Sequence, residues 1–266
     1  MRPMGMFSVV DQPELDVSLY ESALELPGDA LVDQRVPKKL LLKHGAVTST
    51  DRRRIREGVE EIRWVAALKP TNIGVPEYRD EVREYLEVAV LRIHLRDGAE
   101  VDRLVELLHR AIPYPAFVLA EGTFGMEMSL AHKRTSQSAM GVSVLDGRLR
   151  RVRPVEADPP AVLSDLKGAL PVARQPRTHL YALYEGWLDV LTAFEVARLS
   201  GRFEIADSVE GGRVRREALD EFRDLESQIV KLSRAAKKER QMARRVELNI
   251  EANKLKGVLE AVRSRL

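Results

Sequence analysis

The sequence predicts an α+β fold: a mixed or antiparallel sheet flanked by helices, followed by a long C-terminal coiled-coil helix or helical hairpin. Three observations carry this. From Glu81 to Ser136 the apolar spacing changes from two residues to about 3.6 and back, reading as strand, helix, strand, strand. His179 to Ser200 carries one continuous helical stripe. After Gly211-Gly212, apolar residues recur at spacings of three and four, the seam of a coiled coil.

Taken in order, residues 1–35 read as an N-terminal arm with a short helix around Leu15 to Leu24, ended by Pro27-Gly28. A globular domain over residues 36–210 follows, entered through Val36-Pro37 and a short apolar stretch. Thr48-Ser49-Thr50-Asp51 offers N-cap side chains before a helix that carries Ile55, Val59, Ile62, Val65, Ala66 and Leu68. Its outer face holds Arg52, Arg53, Arg54, Arg56 and Arg63, which either grip phosphates or pair with Glu57, Glu60 and Glu61 as a solvated surface.

In the central stretch, Ala89, Leu91 and Ile93 alternate against Val88 and Val90, as in a strand buried on most of both faces. Asp97-Gly98 breaks it. Val101, Leu104, Val105, Leu108 and Ile112 then follow a helical period until Pro113 and Pro115 stop it. Ala116 to Ala120 reads as a central strand, Glu121 to Gly125 as a turn, and Met126 to Lys133 as its hairpin partner. This order argues for helices on one face of the sheet. Gly141 to Leu149 predicts a further strand that turns at Asp146-Gly147 into another. Pro171 and Pro176 interrupt residues 161–176, and Gly201 is placed to end the helix bearing Leu183, Trp187, Leu191, Phe194 and Ala197.

The tail, residues 211–266, holds two seams. Phe222, Leu225, Ile229, Leu232 and Ala236 form one; Leu248, Ala252, Leu255, Leu259, Val262 and Leu266 form another in a shifted phase. The helix therefore slips phase near Gln241 to Asn249 or folds into a hairpin there. A straight rod of about 80 Å cannot bury its own seam, so Phe222, Leu225, Ile229, Leu232, Leu248, Leu255, Leu259 and Val262 are expected to meet a second copy or a partner's helix.

Composition sets outer limits. Charged residues make up 32% of the 266, but the net charge is only +2, so any electrostatic footprint must be local. The chain has no cysteine, which excludes disulfides, thiolate nucleophiles and cysteine-ligated metal sites. No apolar run approaches the length of a membrane span, and Asp11, Glu14 and Asp16 interrupt any leader pattern, so a cytoplasmic protein off the membrane is expected.

Arg234, Lys237, Lys238, Arg240, Arg244 and Arg245 surround the junction of the seams, with Glu239 as the one acid from 234 to 245. They suit a phosphate backbone, or are the charged flanks of a coiled coil. Glu87, Glu127 and Lys133 imitate the carboxylate and lysine set of a metal-dependent nuclease, but without the spacing such sites use. The five histidines show no metal-binding spacing, and His109 reads as a cap to its helix's carbonyls. Dinucleotide, P-loop and nucleophile-elbow motifs are missing. No cofactor, no metal and no catalysis are expected.

Val36-Pro37-Lys38-Lys39, Ile62 to Pro70, Ile112-Pro113-Tyr114-Pro115 and Leu130 to Arg134 stand in the order and spacing of the bacterial domain of unknown function 4391. Lys238-Glu239-Arg240-Gln241 and Arg245 to Asn249 also resemble the helical tail of its members. The resemblance runs from about Leu26 to the end. It implies a bacterial protein without an assigned activity, often encoded beside a DNA methyltransferase and a helicase in restriction-like or phage-defence clusters. It carries no catalytic residues, and leaves Trp64 as a core anchor, Pro113 as a helix stop and Lys133 as the charge worth testing. The combined expectation is an accessory or adaptor subunit of such an antiviral system, homo-oligomeric or bound to a helicase or methyltransferase through the tail, with DNA as a further partner. The alternative is a nuclease or other effector with its site on the sheet.

Overall fold

The structure is a computed structural model that describes residues 16–136 and 143–266. The first fifteen residues of the arm, and Gly141 and Val142 of the expected strand, lie outside it. In chain order the elements are α1 (Val17–Ala23), β1 (Leu31–Arg35), α2 (Lys38–His44), α3 (Ser49–Gly58), β2 (Val59–Leu68), α4 (Pro70–Ile73), β3 (Tyr78–Arg79), β4 (Glu84–Tyr85), β5 (Val88–Leu95), α5 (Val101–Ala111), β6 (Ala116–Gly122), β7 (Gly125–Thr135), β8 (Ser143–Val152), α6 (Pro160–Ala169), α7 (Leu180–Ser200), α8 (Val209–Lys238) and α9 (Met242–Arg263).

Six strands form a mixed sheet in the order β1-β2-β5-β6-β7-β8, and β3 pairs with β4 apart from it. β5 and β6 run parallel, joined by the α5 crossover; every other neighbouring pair in the sheet is antiparallel. Helices cover both faces rather than the one expected. Ala89, Leu91, Ile93 and Leu95 pack with α2, α3 and α5, whereas Val88, Val90, Phe117, Leu119 and Met128 pack with α1, α6 and α7. Both sets of alternating residues on β5 are apolar, so each face needs a cover.

The helix expected to run through Leu68 stops at Gly58. Thr48 caps α3 in a reciprocal box with Asp51, but from Val59 the chain is strand and Arg63 lies on β2. Two register shifts, at Val59/Glu61 and Trp64/Ala66, explain the misleading spacing. The second puts Trp64 and Ala66 against opposite helical layers, which breaks the two-residue alternation and imitates a helical period. Likewise Asp146-Gly147 is not a hairpin turn. Gly147, at φ 80°, lies inside β8 where its pairing with β7 shifts between Leu130 and His132.

α7 meets its expected bounds, with His179 as N-cap and Gly201 at φ 79° as C-cap. The tail is a helical hairpin, turning at Glu239 to Gln241. Gly211 and Gly212 lie in the first turn of α8, behind the Ser208 cap. Among the described residues no helix is long and apolar enough to cross a membrane.

Candidate docking arm and its polar root

The two seams of the tail face one another. Ala218, Phe222, Leu225 and Val262 form a buried cluster with Leu255, Leu259, Leu266 and Leu199 of α7 packed against it. Further out, Leu248 and Ala252 are buried while Ile229 and Leu232 are half-buried. The surface that a straight rod would have needed from a partner is thus supplied by the hairpin itself.

Only the base of the hairpin is fastened to the head. Arg148 reaches Asp224, at 3.1 Å through Nη1, and Arg150 of β8 lies 3.0 Å from Asp220 and 3.2 Å from Glu195 of α7. Arg223 also pairs with Glu195, and Arg263 donates to the Leu199 carbonyl. Among the described residues, the hydrogen bonds and ion pairs from α8 to the head are made by residues up to Asp224. From Leu225 to Lys238 the helix continues for about 20 Å. At its end Arg234, Lys237, Lys238, Arg240, Arg244 and Arg245 are all exposed. Arg244 pairs with Glu247 at 2.7 Å, and Arg245 contacts the Met242 sulfur.

The root is a chain of buried polar groups linking sheet, α7 and α8. The Arg216 guanidinium holds both Glu185 and Asp189. Glu185 also lies 2.7 Å from His132 Nε2 on β7, and the other ring nitrogen of His132 bonds the Tyr85 hydroxyl. Tyr181 stacks on His132 with centroids 5.1 Å apart, and Tyr184 ties α7 to Ala116 and Ala131. Burial raises the Glu185 carboxyl, but His132 and Arg216 outweigh it and hold the group down to about 2. Asp189 is pushed up to about 6 by burial and by the Glu185 charge, against the pull of Arg216. A cavity of ≈ 310 Å³ opens here, lined by Arg83, His132, Tyr181, Glu185 and Arg216 among others. Every guanidinium in its wall has a carboxylate partner, and both nitrogens of His132 are faced by partners, so the arrangement fastens elements together.

Sequence reasoning missed this root. Its signal was present: Glu185 and Asp189, four apart, and Glu195 stand among the apolar residues of α7, and Arg216 and Arg223 sit seven apart on α8.

The three residues of the nuclease alternative are not brought together. Glu87 precedes β5, not within a strand, and pairs with Lys69 at 3.2 Å. Glu127 is buried beneath Arg151 and Arg153, at 3.0 and 2.8 Å. Lys133 is buried on the same strand and donates to the carbonyls of His109 and Ile112, closing the C-terminus of α5. That capping role had been expected of His109, which instead bonds the Ser129 hydroxyl at 3.0 Å and is pushed down to about 3 by burial and the nearby cations. Trp64 is half-buried, donates to the Ala66 carbonyl and meets Tyr114 edge-on. Among the described residues no group of three or more His, Asp or Glu is arranged to hold a metal ion.

The family model for the domain of unknown function DUF4391 matches residues 24–259. The chain belongs to this family. The DUF4391 match takes in the head, the polar root and nearly all of the hairpin. Neither curated proteins nor solved structures give a match.

Proposed function

We propose that this DUF4391 protein is a non-catalytic accessory or adaptor subunit of a bacterial DNA-modification or phage-defence system, and that the hairpin is its docking arm. The observation that carries the reading is the arm itself: rooted in the head by a buried ion network, free over its outer half, and ending in six exposed cations. The candidate catalytic groups of the head favour it too, since Glu87, Glu127 and Lys133 each answer to a different structural partner. A helicase or DNA methyltransferase encoded in the same cluster is the partner implied by the family resemblance.

The test is co-purification of the chain with such a helicase and methyltransferase. Reversing the tip charges (Lys237→Glu, Lys238→Glu, Arg240→Glu) should abolish the complex while leaving the head folded. An unchanged complex would sink the docking-arm reading.

Contact of the same tip with duplex DNA is a second reading, favoured by the excess of cations over Glu239. Here binding should fall steeply with salt and weaken when Arg244 and Arg245 become Glu. Affinity that is the same at low and moderate salt refutes it.

A further inference from the structure

The seam of α9 is not its only uncharged face. On the opposite side Met242, Val246, Ile250, Asn253, Gly257 and Ala261 follow at spacings of four, four, three, four and four, with no charge among them. Met242, Val246 and Ile250 are 64%, 47% and 51% exposed. Asn253, Gly257 and Ala261 are exposed as well, and a Cβ added at Gly257 would meet nothing within 4 Å. The hairpin turns this face away from α8; among the described residues its polar contacts come from α9 itself, Arg245 on the Met242 sulfur and Lys256 on Asn253 at 3.3 Å.

We propose that this face binds the same face of a second copy of the chain, the two α9 helices running antiparallel. The stripe is graded, large in its first half and small in its second. Around a two-fold axis between residues 251 and 252, Met242 faces Ala261 of the second copy, Val246 faces Gly257, and Ile250 faces Asn253. Each large side chain thus meets a small one, which lets the helices approach and fill the space between them. A parallel pair would set Met242 on Met242 and Gly257 on Gly257, crowding one end and leaving a gap at the other.

The charges flanking the stripe agree. In an antiparallel two-fold pair each flank meets its own copy. One flank carries Glu247 and Lys254, which come within about two residues of level across the axis; on the other, Arg245 comes equally near to Glu260 and to Lys256. Opposite charges therefore meet on the first flank while the second is balanced, and the occupant that matches the face in size, and on that flank in charge, is the face itself.

The inference rests on the hairpin being an assembly arm, but its test does not involve DNA or a heterologous partner. Sedimentation of the full chain should show a concentration-dependent monomer–dimer equilibrium. Ile250→Arg should weaken it at least about tenfold, the equivalent of 1.4 kcal/mol. Glu247→Lys should weaken it, and adding Lys254→Glu in the same chain should restore it.

Because the chain has no cysteine, single cysteines report the orientation. Mixed Met242→Cys and Ala261→Cys chains should form a disulfide-linked heterodimer, and Met242→Cys alone should form none. Cross-linking of Met242→Cys with itself, or failure of the double charge variant to restore dimers, overturns the antiparallel pairing. A chain that stays monomeric into the high micromolar range while its tip still captures the methyltransferase, the helicase or DNA overturns this inference and leaves the docking arm standing.

Discussion

Replacing Arg216 by Met tests how the arm is held. One guanidinium serves two carboxylates, and the side chains of Glu185, Asp189 and Arg216 are 5%, 11% and 13% exposed. Removing one partner of a buried ion pair costs about 3–5 kcal/mol, because the charge left behind has neither water nor a counter-ion. Two features reduce the loss here: His132 remains beside Glu185, and Asp189 can take up a proton. A cost near the lower bound, about 3 kcal/mol at pH 7, is therefore expected from urea unfolding. The cost should shrink at pH 5, where Asp189 is already mostly protonated. Hydrogen exchange should quicken in the first turns of α8 before it does in the sheet. A loss below about 1 kcal/mol at pH 7, with an unchanged denaturant slope, would refute the claim that this contact fastens arm to head.

Asp189 also sets a pH dependence: its native value of about 6 lies above the ordinary 3.8, so its contribution is complete below about 4 and is lost as pH rises through 6. Stability in Asp189→Asn should lack that decline, whereas the Glu185 contribution should be complete above about 4.5 and be lost as pH falls towards 2. Gly212→Ala should destabilise by about 1–3 kcal/mol despite better helix propensity, because its Cβ would lie 2.4 Å from the Asp189 carboxylate. Gly257→Ala, with open space around it, should stabilise by about 0.5–1 kcal/mol in thermal melts at low protein concentration. Lys133→Met leaves the carbonyls of His109 and Ile112 buried without a donor and should lower stability by about 2–3 kcal/mol in urea.

The parts of the fold that were legible from the sequence are those whose period is undisturbed. α5, β6 and α7 appear where Leu104, Phe117 and Trp187 stand on regular stripes between clear stops such as Pro113 and Gly201. β2 was misread because bulges shift its alternation, and β8 because Gly147 answers to an irregular pairing within a strand. Helices on both faces were implicit in the apolar Val88 and Val90 opposite Ala89 and Leu91. The polar root was hidden for another reason: Glu185, His132 and Arg216 come from three distant segments, and a lone charge on an apolar helix gives no sign of which distant charge will meet it. The candidate site shows the same limit, since spacing suggested Glu127 and Lys133 as a pair while the register gives each its own neighbours.

Because α8 is fastened over its first half and free over its second, the hairpin behaves as a lever with arms of similar length. A tilt of roughly 5° about Asp224, where the fastening ends, moves the far end by about 2 Å, and a load at that end returns through the fastened half to Arg216. From there it reaches Glu185, His132 and Tyr85, so an event at the distal end is felt inside the sheet through a handful of side chains.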